Sequence, residues 1–168
     1  MAAEGRAMMI APGEGEVVLR GGIGVVRKIS AAAEGAFSVV EHPLEPGALA
    51  APPHTHAATD EYSFVIEGEI GVLMGEETFR APAGSYVLKV RGVPHTFWNL
   101  GSGPARVLEI ISPAGFEQYF EELAGILSST PPGQPDFARI ARSAARYDTT
   151  FHMERLPEIM QKHGVELR

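Results

Sequence analysis

From the N-terminus to about Ser112 the chain alternates short apolar stretches with glycine and proline. The apolar stretches are rich in Val, Ile, Phe and Tyr, residues that favour strands. Many short strands joined by Gly/Pro turns predict an all-β sandwich or barrel, not βαβ units. The strand-like segments are 16–20, 24–29, 36–42, 61–67, 70–74, 77–80, 85–90, 95–99 and 106–111.

After Pro113 the apolar residues change to a helical period. In segment 115–127 they recur at steps of three and four residues, which predicts an amphipathic helix. Asp136 could cap a second helix reaching Tyr147, and a third, short helix over 156–163 would stop at Gly164. We therefore predict a β-barrel over residues 1–113 and a helical extension over 114–168 that packs on it.

Composition narrows the classes of function. The 168 residues fit one domain, and the absence of cysteine excludes disulfides, thiolate zinc sites, iron–sulfur clusters and thiol nucleophiles. A net charge of −7 with scattered basic residues makes nucleic acid an unfavourable partner. No targeting signature or membrane-length apolar run is present, so we expect a cytoplasmic protein without membrane contact.

Three histidines and one glutamate have a spacing that suits a metal site. The prolines around His54 and His56 favour an extended chain, in which residues two apart point to the same face. Glu61 enters the next predicted strand, and Pro94 places His95 at the start of another. A barrel can bring these strands together. The HxH pair alone occurs by chance, so the hypothesis depends on the wider pattern.

The donor set indicates the type of ion. Three imidazoles and one carboxylate suit iron, manganese, nickel, copper, cobalt or zinc, whereas calcium and magnesium prefer oxygen ligands. Four protein ligands leave one or two positions of a five- or six-coordinate ion open. The predicted cofactor is therefore one divalent transition-metal ion in a site of catalytic type.

The wider pattern resembles the two motifs of the cupin superfamily over residues 46–113. The residues that match the first motif are His54, His56, Glu61 and Gly68. The residues that match the second are Gly75, Pro82, Gly84, His95 and Asn99. Two gaps, between Gly75 and Pro82 and between Gly84 and His95, are longer than in the usual pattern.

Together with the segment SPAGFEQYFEELA, the motifs resemble the single-domain bacterial cupins named for similarity to quercetin 2,3-dioxygenase. The resemblance implies a jelly-roll barrel with the ligands on its inner face and a pocket at one mouth. It does not imply quercetin as the substrate. Cupins commonly dimerise, so a homodimer is expected.

Strand alternation gives candidate substrate contacts. Ser63 and Val65 share the face of Glu61, and Phe97 and Asn99 share the face of His95. Ser63 could equally be a small residue that fills space, and Phe97 could be plain core. Glu109 lies in an apolar run, so it is edge-exposed, pocket-facing or paired with an arginine. The remaining histidines have no partners at useful spacing and are interpreted as surface or packing residues; they are His42, His152 and His163.

Three functions remain open at this stage. The first is a dioxygenase-type oxidoreductase acting on a small organic, possibly aromatic, substrate; the resemblance implies that Glu61 could leave the metal and act as a catalytic base. The second is a non-redox isomerase or lyase that uses the ion as a Lewis acid. The third is a non-catalytic small-molecule binder.

Overall fold

The computed structural model describes residues 9–29, 36–131 and 133–167, and residues 1–8, where no targeting signature was expected, lie outside this range. The first strands are β1 (Glu16–Leu19), β2 (Val25–Ile29), β3 (Ser38–Leu44), β4 (Ala48–Leu49), β5 (His54–His56), β6 (Asp60–Glu67) and β7 (Glu69–Met74). The later strands are β8 (Glu77–Pro82), β9 (Tyr86–Lys89), β10 (His95–Asn99), β11 (Ala105–Ser112), β12 (Thr149–Phe151) and β13 (Glu166–Leu167).

These strands form two sheets, which confirms the predicted all-β fold and agrees with a jelly roll. One sheet has the order β1-β2-β3-β11-β6-β9. The other contains β12-β5-β10-β4-β13, with β7 pairing β10 and β8. All pairs are antiparallel except β13 with β4. A hairpin turn lies between β6 and β7, where Gly68 has a φ of 78° that favours glycine.

Alternation along β6 fixes which side chains face the interior. Glu61, Ser63 and Val65 are buried, and Tyr62 is exposed on the opposite face. This is the period of two that a half-buried strand requires. The strand therefore carries a charged and a polar side chain into the interior beside an apolar one.

Three helices follow the β-region at the predicted positions. They are α1 (Glu117–Ser128), α2 (Phe137–Ala145) and α3 (Leu156–His163). The Asp136 side chain caps α2 by accepting a hydrogen bond from the Arg139 backbone N–H at 2.9 Å. Gly164 ends α3 with a φ of 63°. Helix α2 ends two residues before Tyr147, the predicted end. No helix in the described ranges has the length and apolar character needed to cross a membrane.

The C-terminal segment also contributes strands, which the sequence pattern did not predict. β12 pairs antiparallel with β5, and β13 pairs parallel with β4. These strands have only three and two residues, too few to show a period, so tertiary contacts define them. Trp98 packs with Leu156 and Ile159 of α3 in one core cluster. The domain division at residue 113 stays a prediction, but residues on both sides of it share one sheet.

Candidate metal centre and its cavity

Three strands, two from one sheet and one from the other, bring the four candidate ligands together. β5 carries His54 and His56, β6 begins near Glu61, and β10 starts with His95, which pairs directly opposite His54. One potential ligand atom from each of the four residues lies within 4.8 Å of the other three. All four side chains are buried. The four residues could therefore hold a metal ion.

Backbone carbonyls fix the orientation of two of the imidazoles. His54 Nδ1 lies 2.8 Å from the Pro52 carbonyl oxygen, and His95 Nδ1 lies 2.9 Å from that of Val93. A carbonyl only accepts hydrogen bonds, so both Nδ1 atoms must donate. In a neutral ring this leaves the Nε2 lone pair free to bind a metal ion.

The third imidazole is held by a residue of the C-terminal segment. His56 Nδ1 lies 2.8 Å from the Thr149 hydroxyl oxygen, and that hydroxyl donates its own hydrogen to the Tyr147 carbonyl at 3.1 Å. The hydroxyl therefore accepts from His56, and Nδ1 again carries the hydrogen. All three histidines thus have the same tautomer when neutral.

The remaining ring atoms face the glutamate at short range. His56 Nε2 is 3.3 Å from Glu61 Oε1, and His95 Nε2 is 3.2 Å from Glu61 Oε2. Within the described residues neither Nε2 atom has a hydrogen-bond partner, although both are buried. Lone pairs that face a carboxylate in a buried site require a cation or a proton between them. A divalent transition-metal ion meets this requirement with the ligands that such ions prefer.

Burial and neighbouring charges favour the ligand forms of these groups. Burial, with further contributions from His95 and His56, holds the pKa of His54 well below its usual value. Burial alone would raise the pKa of Glu61, but the Lys89 ammonium and the facing histidines hold it well below its usual value. A neutral imidazole and an ionised carboxylate are the forms that bind metal.

A second buried cluster adjoins the metal centre. The Lys89 ammonium lies 2.8 Å from Glu61 Oε2 and also pairs with Glu109 Oε1. Glu109 further accepts a hydrogen bond of 2.8 Å from the Ser63 hydroxyl. Burial alone would lower the pKa of Lys89, but Glu109 and Glu61 raise it above its usual value. Lys89 is therefore a fixed positive charge beside the four candidate ligands.

His42 completes this cluster. Its Nδ1 lies 3.1 Å from the Gly24 carbonyl oxygen, and its Nε2 lies 3.2 Å from Glu109 Oε2. Both partners are oxygen atoms that accept.

Residues of both clusters line one cavity of about 880 Å³. The polar part of its wall contains the side chains of His54, Glu61, Lys89, Glu109 and His42. The apolar part comes largely from the C-terminal segment, with lining residues that include Phe116, Tyr119, Phe120, Leu123, Ile140 and Phe151. The predicted helical extension thus does more than cover the sandwich, because it forms much of the wall.

The four predicted substrate contacts fall in different environments. Phe97 lines the cavity, with Lys89 Nζ 4.7 Å from its ring centroid. The Ser63 hydroxyl donates a hydrogen bond to Glu109, and Val65 lies in the apolar core cluster. Asn99 donates to the carbonyls of Leu44 and Gly103. Among the four, only Phe97 is a lining residue.

Sequence reasoning missed Lys89, Thr149 and His42. Lys89 had a usable signal, since it alternates with exposed Tyr86 and Leu88 on β9 and so falls on the inward face. Glu109 is pocket-facing, one of the three options left open for it, and its cationic partner is Lys89 and not an arginine. His42 was interpreted as a surface or packing residue, yet it is buried in the cavity wall because β3 pairs with β11.

Comparisons with known proteins agree with this architecture. Residues 40–111 match the family model described as a cupin domain. No curated protein matches the chain. The resemblance to cupins is thereby supported for this segment, whereas the closer resemblance to the quercetin 2,3-dioxygenase-like group stays a prediction.

Several solved structures are similar to parts of this chain. A predicted oxalate decarboxylase from Thermotoga maritima is 19% identical, with a TM-score of 0.56 and coverage of 63% of this chain and 99% of that chain. A mutant of the Bacillus subtilis oxalate decarboxylase is 23% identical, with a TM-score of 0.53 and coverage of 60% and 28%. A sugar phosphate isomerase of the cupin superfamily from Silicibacter pomeroyi is 27% identical, with a TM-score of 0.48 and coverage of 54% and 59%. The match thus spans less than two thirds of the last two proteins.

Proposed function

We propose that this protein is a metal-dependent enzyme acting on a small, largely apolar organic molecule. The proposed ligands of its one divalent transition-metal ion are His54, His56, Glu61 and His95. The observation that carries this proposal is the convergence of unpaired Nε2 atoms on a buried carboxylate at the wall of a cavity of about 880 Å³. A cavity with a mostly apolar lining and a few convergent polar groups is typical of small-molecule sites.

The ion would supply Lewis acidity and, for iron, copper, nickel or manganese, redox chemistry at a position that the four ligands leave open. The apolar wall would bind the body of the substrate and exclude water. The aromatic residues of this wall favour a flat or aromatic substrate, because they offer edges and faces for ring contacts; they include Phe97, Phe116 and Phe120.

Glu61 is the proposed catalytic residue of the chain. Its carboxylate lies at the boundary between the three histidines and Lys89, so it can take a proton from a substrate hydroxyl near the site. Because Lys89 and the facing histidines depress its pKa, Glu61 is a weak base. This favours a substrate whose hydroxyl is acidic, such as a phenol or an enol.

A dioxygenase-type oxidoreductase is the first form of this proposal. A non-redox isomerase or lyase is the second, and one observation favours it. The Lys89–Glu109–His42 cluster lines the same cavity and places an ammonium next to Glu61 and an imidazole next to Glu109, an arrangement that suits proton transfer to and from carbon. The same ion would serve either reaction.

Reconstitution separates the two forms. The metal-free protein is loaded in turn with Fe²⁺, Mn²⁺, Ni²⁺, Co²⁺ and Zn²⁺ and tested with flavonols and catechols in an oxygen electrode. The dioxygenase form predicts oxygen uptake with a redox-active ion and none with Zn²⁺. Turnover of an enolisable substrate with Zn²⁺ and no oxygen uptake would favour the second form. Binding without turnover under every condition would leave a small-molecule binder.

A homodimer and a cytoplasmic location also stay predictions. The outer face of the six-stranded sheet carries exposed Tyr62, Tyr86, Leu88 and Ile110, apolar surface that a second copy could cover. Light scattering of the purified protein tests the dimer, with a monomer mass at micromolar concentration as the contradicting result.

A further inference from the structure

We infer that Lys89 competes with the metal ion for Glu61 and keeps one of its carboxylate oxygens away from the ion. The inference rests on the proposed function, since it concerns the same four-residue metal centre. Lys89 is thereby a positioning residue, because it acts through Glu61. Its effect would be to limit Glu61 to one metal-bound oxygen.

The two oxygens of Glu61 have different surroundings. Oε1 faces His56 Nε2 at 3.3 Å. Oε2 faces His95 Nε2 at 3.2 Å and the Lys89 ammonium at 2.8 Å. The oxygen shared with Lys89 is thus also one that an ion held by the histidines would contact. A cation at this position and the ammonium therefore attract the same oxygen, and they repel one another.

Lys89 is buried and held in place by its neighbours, so it can compete with a metal ion for Glu61. It is 2% exposed, and its second carboxylate partner is Glu109. Glu109 is fixed in turn by Ser63 and by His42, and His42 contacts the Gly24 carbonyl. This series of contacts connects the backbone just before β2 to Glu61. A lysine held in this way cannot swing away from an incoming ion without taking its ammonium from the buried Glu109 carboxylate, which is costly.

Glu109 weakens the attraction between Lys89 and Glu61. With both carboxylates present, the single charge of Lys89 is divided between Glu61 and Glu109. Neutralising Glu109 would leave Glu61 as the sole carboxylate partner of Lys89 and strengthen that pair. Neutralising Lys89 would release Glu61 to the metal. The two members of one ion pair are therefore expected to change metal affinity in opposite directions.

The experiment measures Zn²⁺ affinity by competition with a chromophoric chelator. Lys89→Met is expected to bind Zn²⁺ at least about tenfold more tightly than the wild type, and Glu109→Gln about tenfold more weakly. Lys89→Gln, which keeps an N–H donor and loses the charge, is a second variant should Lys89→Met fail to fold, and it is also expected to bind more tightly. Lys89→Arg keeps the charge and should stay close to the wild type.

A matched ion pair elsewhere in the same sheet supplies controls. Lys28 and Glu41 lie 3.5 Å apart, are partly buried and do not line the cavity. Lys28→Met and Glu41→Gln make the same changes in net charge and are expected to leave Zn²⁺ affinity unchanged. Thermal unfolding of each metal-free variant verifies that it is folded.

The visible spectrum of bound Co²⁺ tests whether Lys89 and the metal ion share the Glu61 carboxylate oxygen. Release of Glu61 in Lys89→Met is expected to change the ligand field and therefore the spectrum, whereas a long-range effect of charge would change affinity alone. Three results would each overturn the inference. The first is Zn²⁺ binding by both neutral Lys89 variants that is equal to or weaker than that of the wild type. The second is a change in Zn²⁺ affinity of the same sign in Lys89→Met and Glu109→Gln, and the third is an unchanged Co²⁺ spectrum in Lys89→Met. Failure of the wild type to bind any ion would instead contradict the proposed function, on which the inference rests.

Discussion

The Thr149 hydroxyl accepts a hydrogen bond from His56 Nδ1 at 2.8 Å, so a strand of the C-terminal segment sets the tautomer of a candidate metal ligand. Thr149 lies on β12, directly opposite His56 on β5. The C-terminal segment thus supports the proposed metal centre as well as the apolar wall of the cavity. Partners of this kind orient a ligand and increase its basicity.

Replacement of Thr149 tests this support. Thr149→Val keeps the shape of the side chain and removes the acceptor, so metal affinity should fall by about tenfold or more. Thr150→Val is the matched control, because Thr150 is the next residue of β12 and its side chain is exposed. Chelator competition measures both. Equal affinities for the two variants would show that the hydroxyl does not assist His56.

A large side chain that fills the apolar part of the cavity should weaken the binding of an apolar ligand there. Leu123→Trp adds a large ring to a lining position on α1 and is expected to weaken binding of the fluorescent probe N-phenyl-1-naphthylamine by about tenfold or more. Leu88→Trp adds the same ring on the exposed face of β9 and should leave the affinity unchanged. A probe that binds Leu123→Trp as tightly as the wild type does not occupy this cavity.

The buried carboxylate Glu109 predicts a dependence of stability on pH. Burial and the nearby Glu61 would raise its pKa, but Lys89 and His42 hold it below the usual value of 4.5. The ionised form therefore stabilises the native state above about pH 4.5, and this contribution is lost as the pH falls through the lower native pKa.

Urea unfolding of the metal-free wild type and of Glu109→Gln measures this effect. The difference in unfolding free energy should be largest near neutral pH and should shrink below about pH 4.5. A difference that stays constant from neutral to acid pH would show that Glu109 does not have a depressed pKa in the native protein.

A glycine of β7 tests the packing of the second sheet. A Cβ at Gly71 would overlap the indole ring of Trp98, which is 1% exposed. Gly71→Ala is therefore expected to destabilise the protein by about 1–3 kcal/mol. Gly125→Ala, in α1 with open space around it, should stabilise the protein by about 0.5–1 kcal/mol. Denaturant unfolding compares the two, and a neutral Gly71→Ala would contradict the packing.

Local sequence signals were sufficient for the outline of the fold and for the group of candidate ligands. Strand alternation and helical periodicity depend on neighbouring residues, so β6, β10 and all three helices could be predicted. His54, His56 and Glu61 lie close in the chain, and His95 follows a proline at the start of a strand. Each of these features is visible without knowledge of the tertiary structure.

The contacts around the ligands could not be predicted in the same way. Thr149 lies 93 residues from His56, and Lys89 lies 20 residues from Glu109. These pairs depend on which strands neighbour each other in the two sheets. His42 looked like an ordinary histidine because its partner, Glu109, is 67 residues away on β11. The residues that tune the site are thus specified by topology, and a local pattern does not reveal them.

The most direct test of the account is the metal stoichiometry of His95→Ala. We predict that the wild type holds one transition-metal ion per chain and that His95→Ala, which loses one of the four proposed ligands, does not retain it after dialysis against a moderate chelator. His163→Gln, whose imidazole packs on Trp98 outside the site, should keep one ion per chain. Elemental analysis that finds one ion in His95→Ala, bound as tightly as in the wild type, would contradict the four-residue metal centre.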